Sequence, residues 1–295
     1  MKRMPEPLRL GTRGSALART QSQGIADLIT ATTGRAVELV IITTKGDRIT
    51  DRPLPEIGGK GLFTLELETA LRDGGIDFAV HSLKDLPTED PDGLVLGAIP
   101  TRVDPRDALI GHAVDALPAG ASVGSGSLRR RMQLLSLRPD VQVRDIRGNV
   151  PTRLEKRDRG DFAATVLAMA GLIRLGIDRE DIYPLSVDEM VPAVGQGALA
   201  VQCRADDPVV GPILSAIDDT STRKSVEGER AFLRAWGGGC NVPAGAHICT
   251  DGDVYLIRAV VQDSTGQMRR FEARGENPVS LGLAASAALS SPAHG

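Results

Sequence analysis

Apolar residues along the chain fall in two kinds of run. Stretches of strand length occur at Val37 to Thr43, Asp77 to Val80, Leu94 to Ile99, Val141 to Ile146 and Ala163 to Ala168. Between them, Leu62, Phe63, Leu65, Leu67, Ala70 and Leu71 recur at the spacing of one helical face, as do Leu128, Met132 and Leu135. Strands alternating with helices predict an α/β fold with mostly parallel sheets. No internal repeat is visible, and the only biased segment is the Ala/Ser-rich C-terminal end.

Three turn-rich stretches break this pattern and mark expected domain boundaries: Pro100 to Asp107, Val191 to Gly197, and Asp218 to Ser225. A chain of 295 residues with 41% hydrophobic content fills two or three domains. The segment Gly46 to Gly61 is long, polar and rich in Gly and Pro, which fits a mobile lid and equally an ordinary surface loop. Met1 to Pro7 carries no apolar core of a leader, and no run of about 18 apolar residues follows, so a cytoplasmic protein is expected.

Charge changes the picture. The formal net charge is only -3, yet Ala121 to Arg174 carries ten arginines and Lys156 against five carboxylates, an excess of six positive charges. A basic region inside an acidic protein points to an anionic ligand, whereas a duplex-binding protein presents a broader basic face. Aromatics at 3% leave few platforms for stacking bases, so no nucleic-acid partner is expected. Cys203, Cys240 and Cys249 form neither a disulfide framework nor a C-x-x-C pair, and the four histidines have no metal-site spacing, so no metal is expected.

The sharpest anion signal is Val123-Gly124-Ser125-Gly126-Ser127-Leu128-Arg129-Arg130-Arg131, a glycine/serine turn opening a helix with Ser125 and Ser127 as caps. Arginines in a first helical turn concentrate positive potential where backbone N–H groups already face outward. Arg147-Gly148-Asn149 and Arg153 follow an expected strand, where open α/β sheets place ligand groups, and Arg174 follows the next. Guanidinium forks bind carboxylates through two parallel hydrogen bonds. The competing reading is that neighbours such as Asp145 or Glu155 neutralise some of them.

Nucleotide motifs fail: Gly58-Gly59-Lys60-Gly61 lacks the hydroxyl residue of a P-loop, and Arg129 stands where a dinucleotide fingerprint needs glycine. In His81-Ser82-Leu83-Lys84-Asp85-Leu86-Pro87 the polar groups follow a strand and Pro87 limits helix formation. Lys84 has the charge to hold a carboxylate and Asp85 the chemistry to exchange a proton or stabilise a cation. An internal ion pair in a structural turn is the alternative, and His81 is expected in the core. Trp236-Gly237-Gly238-Gly239-Cys240 presents a thiol on a glycine-rich loop suited to close ligand approach.

Taken together, Arg9-Leu10-Gly11-Thr12-Arg13-Gly14-Ser15, Gly58-Gly59-Lys60-Gly61-Leu62-Phe63, His81 to Pro87, Arg147-Gly148-Asn149-Val150, Val194-Gly195-Gln196-Gly197 and Gly238-Gly239-Cys240 closely resemble the porphobilinogen deaminase (hydroxymethylbilane synthase) family. The motifs stand in family order across nearly the whole chain. The resemblance implies two periplasmic-binding-protein-like lobes and a small C-terminal α/β domain: residues 1–100 with 197–217, residues 101–196, and residues 218–295. It implies a transferase of porphyrin and haem biosynthesis, acting as a monomer, that condenses four porphobilinogens with loss of ammonia. It also implies a dipyrromethane cofactor joined to Cys240 by a thioether.

The same resemblance suggests roles. Asp85, Arg13 and Arg147 would be catalytic, with Asp85 stabilising an azafulvenium cation. Lys84, Arg153, Arg174, Phe63 and Gln196 would contact the substrate, Phe63 beneath the lid and Gln196 at the crossing between lobes. Ser127, Arg129 and Arg130, with Lys84 and Asp85, would hold the cofactor. Two positions depart from the family pattern: Gly126 stands where many relatives have a hydroxyl residue, and Glu56 where some members have lysine.

Overall fold

The computed structural model describes residues 6–44, 46, 64–237 and 242–290. Contacts divide the chain into two units, residues 1–102 with 198–223 and residues 103–197 with 224–295.

The first unit is built on five strands: β1 (Leu8–Thr12), β2 (Val37–Ile41), β3 (Phe78–Ser82), β4 (Leu94–Ala98) and β10 (Leu199–Arg204), in the order β2-β1-β3-β10-β4. β1 runs parallel to both β2 and β3, whereas β10 is antiparallel to β3 and β4. Helix α1 (Ala16–Thr33) is capped by Ser15, whose side chain accepts from the Ala18 N–H, and ends at left-handed Gly34. Its apolar face, Ile25, Ala26 and Ile29, covers Leu10, Phe78, Val80 and Val201 on one side of the sheet. Helix α2 (Leu65–Arg72) places Leu67 and Leu71 on the other side, over Ile76, Ala79 and Leu94. Period-two alternation along β3 thus feeds two cores, with Phe78 and Val80 on one side and Ala79 on the other, which explains why this strand reads as a continuous apolar run.

The second unit contains β5 (Asp107–Ile110), β6 (Ser122–Gly124), β7 (Gln142–Arg144), β8 (Ala164–Ala168) and β9 (Ile182–Pro184), ordered β7-β6-β8-β5-β9. β6 is parallel to β7 and β8, and β5 is antiparallel to β8 and β9. Helices α3 (Leu128–Leu137), α4 (Val150–Asp158) and α5 (Met169–Arg174) follow the three parallel strands, whereas α6 (Val210–Ser215), after β10, joins the core of the first sheet through Val210, Ile213 and Leu214. A third sheet, β11 (Ala244–Asp251), β12 (Val254–Gln262) and β13 (Met268–Gly275), is an antiparallel meander. It is covered by α7 (Thr220–Ala235) and α8 (Pro278–Ser290) through Phe232, Leu281, Ala285 and Leu289.

The α/β class agrees with expectation: each five-stranded sheet runs four strands one way with a single antiparallel strand in the same fourth position, while the third sheet is antiparallel throughout. The two sheets share one strand order although the sequence shows no repeat. Helix α3 also differs in phase from its predicted face. Leu128 is 53% exposed, while Arg129, Arg130, Met132, Gln133 and Leu134 are buried. Met132 packs with Val191 and Val260, so the inward face of α3 is shared with the third sheet. Among the described residues no helix is long and apolar enough to cross a membrane.

Candidate functional site

In the first unit, β1 and β3 are adjacent and parallel, with Leu10 opposite Phe78 and Gly11 opposite Ala79. Arg13, just past β1, and Lys84 and Asp85, just past β3, therefore leave the sheet at the same end. Leu83 to Asp85 form a single 3-10 turn: Leu83 is buried, its N–H donates to the Ala198 carbonyl, and the Leu86 N–H returns to the Leu83 carbonyl. The Gln21 amide donates to the Ser82 hydroxyl at 3.1 Å, tying α1 to the residue before the turn. On this anchored turn the Asp85 carboxylate is exposed and Lys84 is half-buried, as is Arg13. His81 lies in the core. Burial pushes its imidazole down to about 4, with the positive charge of Arg13 acting in the same direction, so the ring is neutral near pH 7. Phe63 and the Gly46 to Gly61 segment, apart from Gly46, lie outside the described residues.

In the second unit the arginines issue from the carboxyl ends of β6, β7 and β8, three neighbouring strands. After β6, Ser125 Oγ accepts from the Ser127 N–H, and Ser127 caps α3 by accepting from the Arg130 N–H, as the serine pattern predicts. Arg129 and Arg130, however, are almost wholly buried on the carboxylate of Asp107, itself fully buried at the start of β5. Oδ2 accepts from Arg129 at 2.7 Å. Oδ1 accepts from Arg130 Nε at 3.0 Å and a terminal nitrogen at 2.7 Å, and from the Gln196 amide at 3.0 Å. The neighbouring positive charges hold the Asp107 carboxyl far below the usual carboxylate range despite its burial. Further donors are engaged as well: Arg129 donates to the Val191 carbonyl, Arg130 to the Val166 carbonyl, and Gln196 to the Pro105 carbonyl.

The neutralising carboxylate is thus neither Asp145 nor Glu155. A signal was present in the sequence, since Arg106-Asp107 leads directly into the apolar run Ala108-Leu109-Ile110, where an aspartate needs a buried partner. One carboxylate against two guanidiniums still leaves the triad with net positive charge.

The other arginines have a different environment. None of the ion pairs among the described residues involves Arg147, Arg153 or Arg174. Arg153, half-buried on α4, is pushed down to about 10 by burial and by the like charges of Arg130 and Arg147. Arg174, at the end of α5, is lowered to about 10 by burial and donates to the Gly197 carbonyl at 2.8 Å. Arg153 Nε donates to the Gly148 carbonyl at 2.8 Å, which orients the fork and leaves its terminal nitrogens for another acceptor. Cations held partly out of water near like charges, without a carboxylate, are what an anion-binding surface requires.

Gln196, expected at the substrate, is 1% exposed, and both of its amide hydrogens are used by Pro105 and Asp107. It belongs to a tight Val194-Gly195-Gln196-Gly197 segment with both glycines at positive φ; a Cβ on Gly197 would stand 2.5 Å from the Val103 carbonyl oxygen. Cys240 lies outside the described residues. Cys203 is buried, and burial raises its thiol, which suits a structural role.

Two five-stranded α/β sheets, each with basic residues beyond the ends of its parallel strands, define an α/β protein whose strand ends suit anions. Family comparison refines this class. Residues 8–211 match a model described as porphobilinogen deaminase, dipyromethane cofactor binding domain, and residues 224–291 match the porphobilinogen deaminase C-terminal domain. A porphobilinogen deaminase from Brevibacillus brevis is 47% identical over 95% of this chain and 93% of its own. One from a Roseiflexus species is 48% identical over 95% of both chains. Among solved structures the chain is similar to an ancestral cationic amino acid solute binding protein, with 14% identity, a TM-score of 0.44, and coverage of 78% of this chain and 91% of that one. The chain belongs to the porphobilinogen deaminase family, whose activity is that of a transferase, hydroxymethylbilane synthase.

Proposed function

We propose that this chain is a cytoplasmic, monomeric porphobilinogen deaminase that condenses four porphobilinogens head to tail, releasing ammonia at each addition and hydroxymethylbilane at the end. The observation that carries the reading is the set of half-buried, carboxylate-free guanidiniums of Arg147, Arg153 and Arg174 past the parallel strands of the second unit. Pyrroles bearing acetate and propionate groups make a growing polyanion, and such a chain needs several guanidinium partners in turn. Within this reading the three sheets correspond to three domains, residues 1–100 with 197–217, residues 101–196, and residues 218–295.

The cofactor, a dipyrromethane that would be joined to Cys240 by a thioether, would supply the free pyrrole end that takes the first ring, each later ring adding to the end of the growing chain. The matched cofactor-binding domain supports it, and so do the uncompensated cations, which suit its carboxylates. In the second unit Ser127, Arg129 and Arg130 bind carboxylates of the cofactor, the two arginines with whichever N–H groups Asp107 leaves over, and Lys84 is a carboxylate-binding group of the first unit. Asp85, exposed on its anchored turn, accepts hydrogen bonds from pyrrole N–H groups and balances positive charge as the amine departs. Arg13 and Arg147 serve near the reacting ring, Arg153 and Arg174 bind substrate side chains, and Phe63 covers the ring. Gln196 acts indirectly, through Asp107.

Denatured-protein mass spectrometry tests this directly. The active protein should carry a dipyrromethane adduct that is lost in Cys240→Ser along with porphobilinogen turnover. An unmodified protein with full turnover would refute the covalent anchor, and an inactive wild type carrying no adduct would favour a noncatalytic anion-binding module.

A further inference from the structure

The loop that carries Arg147 is held by α4 in three places. Asn149 caps the helix by accepting from the Thr152 N–H at 3.0 Å. Arg153 Nε takes the Gly148 carbonyl at 2.8 Å, and Lys156 Nζ takes the carbonyl of Arg147 itself at 3.1 Å. Gly148 between them is at φ +113, a conformation other residues rarely adopt, and a Cβ there would meet Thr152 at 2.6 Å. Arg153 and Lys156 are three residues apart on one helical face, and helical side chains lean toward the N-terminus, so both reach back to the loop. None of the ion pairs among the described residues involves Lys156.

We infer that Lys156 is a positioning residue for Arg147, fixing the backbone from which that guanidinium projects and keeping the loop electropositive. The inference rests on the reading above, in which Arg147 acts near the reacting ring. Arg147 enters no ion pair among the described residues, so its direction depends on its own backbone. Of the three ties, only the ammonium of Lys156 grips that residue. Arg153 lies close enough to Arg147 for their like charges to be felt, which works against holding both guanidiniums on one loop. A small displacement of a group acting on a reacting atom is expensive in rate, so a single hydrogen bond to the loop matters.

The test uses the cofactor-loaded full chain. Lys156→Met removes the tie without burying a polar group, Lys156→Arg restores a donor of similar reach, and Arg147→Leu serves as reference. The expected result for Lys156→Met is a fall in kcat of about tenfold per folded molecule. Its KM, adduct mass and thermal midpoint should be near wild type. Lys156→Arg should recover most of the rate. Wild-type kcat in Lys156→Met, or a Lys156→Arg as slow as the Met variant, overturns the inference. If Arg147→Leu loses turnover while Lys156→Met does not, the inference fails and the reading stands; if Arg147→Leu retains turnover, the reading itself fails.

Discussion

Arg130 engages Asp107 with two nitrogens on one oxygen, Nε at 3.0 Å and a terminal nitrogen at 2.7 Å, inside a site almost closed to water. The other oxygen holds Arg129, so one carboxylate sets the direction of two guanidiniums. Replacing Asp107 by Asn leaves two buried cations against a neutral amide, and breaking a buried pair in this way costs about 3 to 5 kcal/mol. Urea unfolding of Asp107→Asn should show a loss of that order; a loss near zero would mean that water reaches the triad.

The same carboxylate sets an acid limit. Its pKa in the folded protein lies below the ordinary 3.8, so its contribution is fully present above that value and is lost as pH falls toward the folded value. Unfolding followed below pH 4 should show stability falling with each step, and the fall should be smaller in Asp107→Asn.

His81 acts over a different window. Its imidazole is depressed from 6.5 to about 4, so as pH falls through 6.5 the unfolded chain takes up a proton that the folded protein refuses. The His81 contribution should cost about 3 kcal/mol of stability between pH 6.5 and 4 and add nothing further below, where the Asp107 effect takes over. His81→Asn should lack this slope, whatever its stability at pH 7.

Asp85 projects from a turn held by backbone hydrogen bonds and Leu83, none of which needs its carboxylate. Asp85→Ala should therefore keep its fold and its cofactor adduct while losing nearly all porphobilinogen turnover. Steady-state rates alongside denatured mass separate the two, and wild-type turnover would remove Asp85 from the chemistry.

Gly228 in α7 and Gly282 in α8 lie back to back. A Cβ on Gly282 would collide with the Gly228 carbonyl oxygen, and one on Gly228 would meet Ile248 Cδ1 at 2.6 Å. Gly282→Ala gains helix propensity yet should destabilise by about 2 kcal/mol or more, because backbone cannot yield as a side chain can. A thermal midpoint equal to or above wild type would show that the helices can separate.

Much of this was legible in the sequence. β2, β3, β4 and β8 fall within a residue or two of their apolar runs, and Ser127 caps α3 as its position before three arginines suggests. What escaped was pairing at a distance. Asp107 lies 22 residues before Arg129, and charge counting looked to nearer acids. Antiparallel β5 and β10 lie directly beside the turn-rich stretches Pro100 to Asp107 and Val191 to Gly197, which mask them as strands. The face of α3 was read from Leu128, Met132 and Leu135; Met132 is buried, but Leu128 is exposed and burial extends instead to Arg129 and Gln133, because Met132 packs on Val260 of a sheet formed more than a hundred residues later.

That β10 sits between β3 and β4 bears on how the protein is made. When the first hundred residues have left the ribosome, β1 to β4 exist, but β4 has no neighbour to join. The gap is filled only after residue 204 emerges, with the whole second five-stranded sheet synthesised in between. The first sheet, though begun earliest, should be completed late and wait with two open edges, so its nascent form is the one to examine for chaperone dependence.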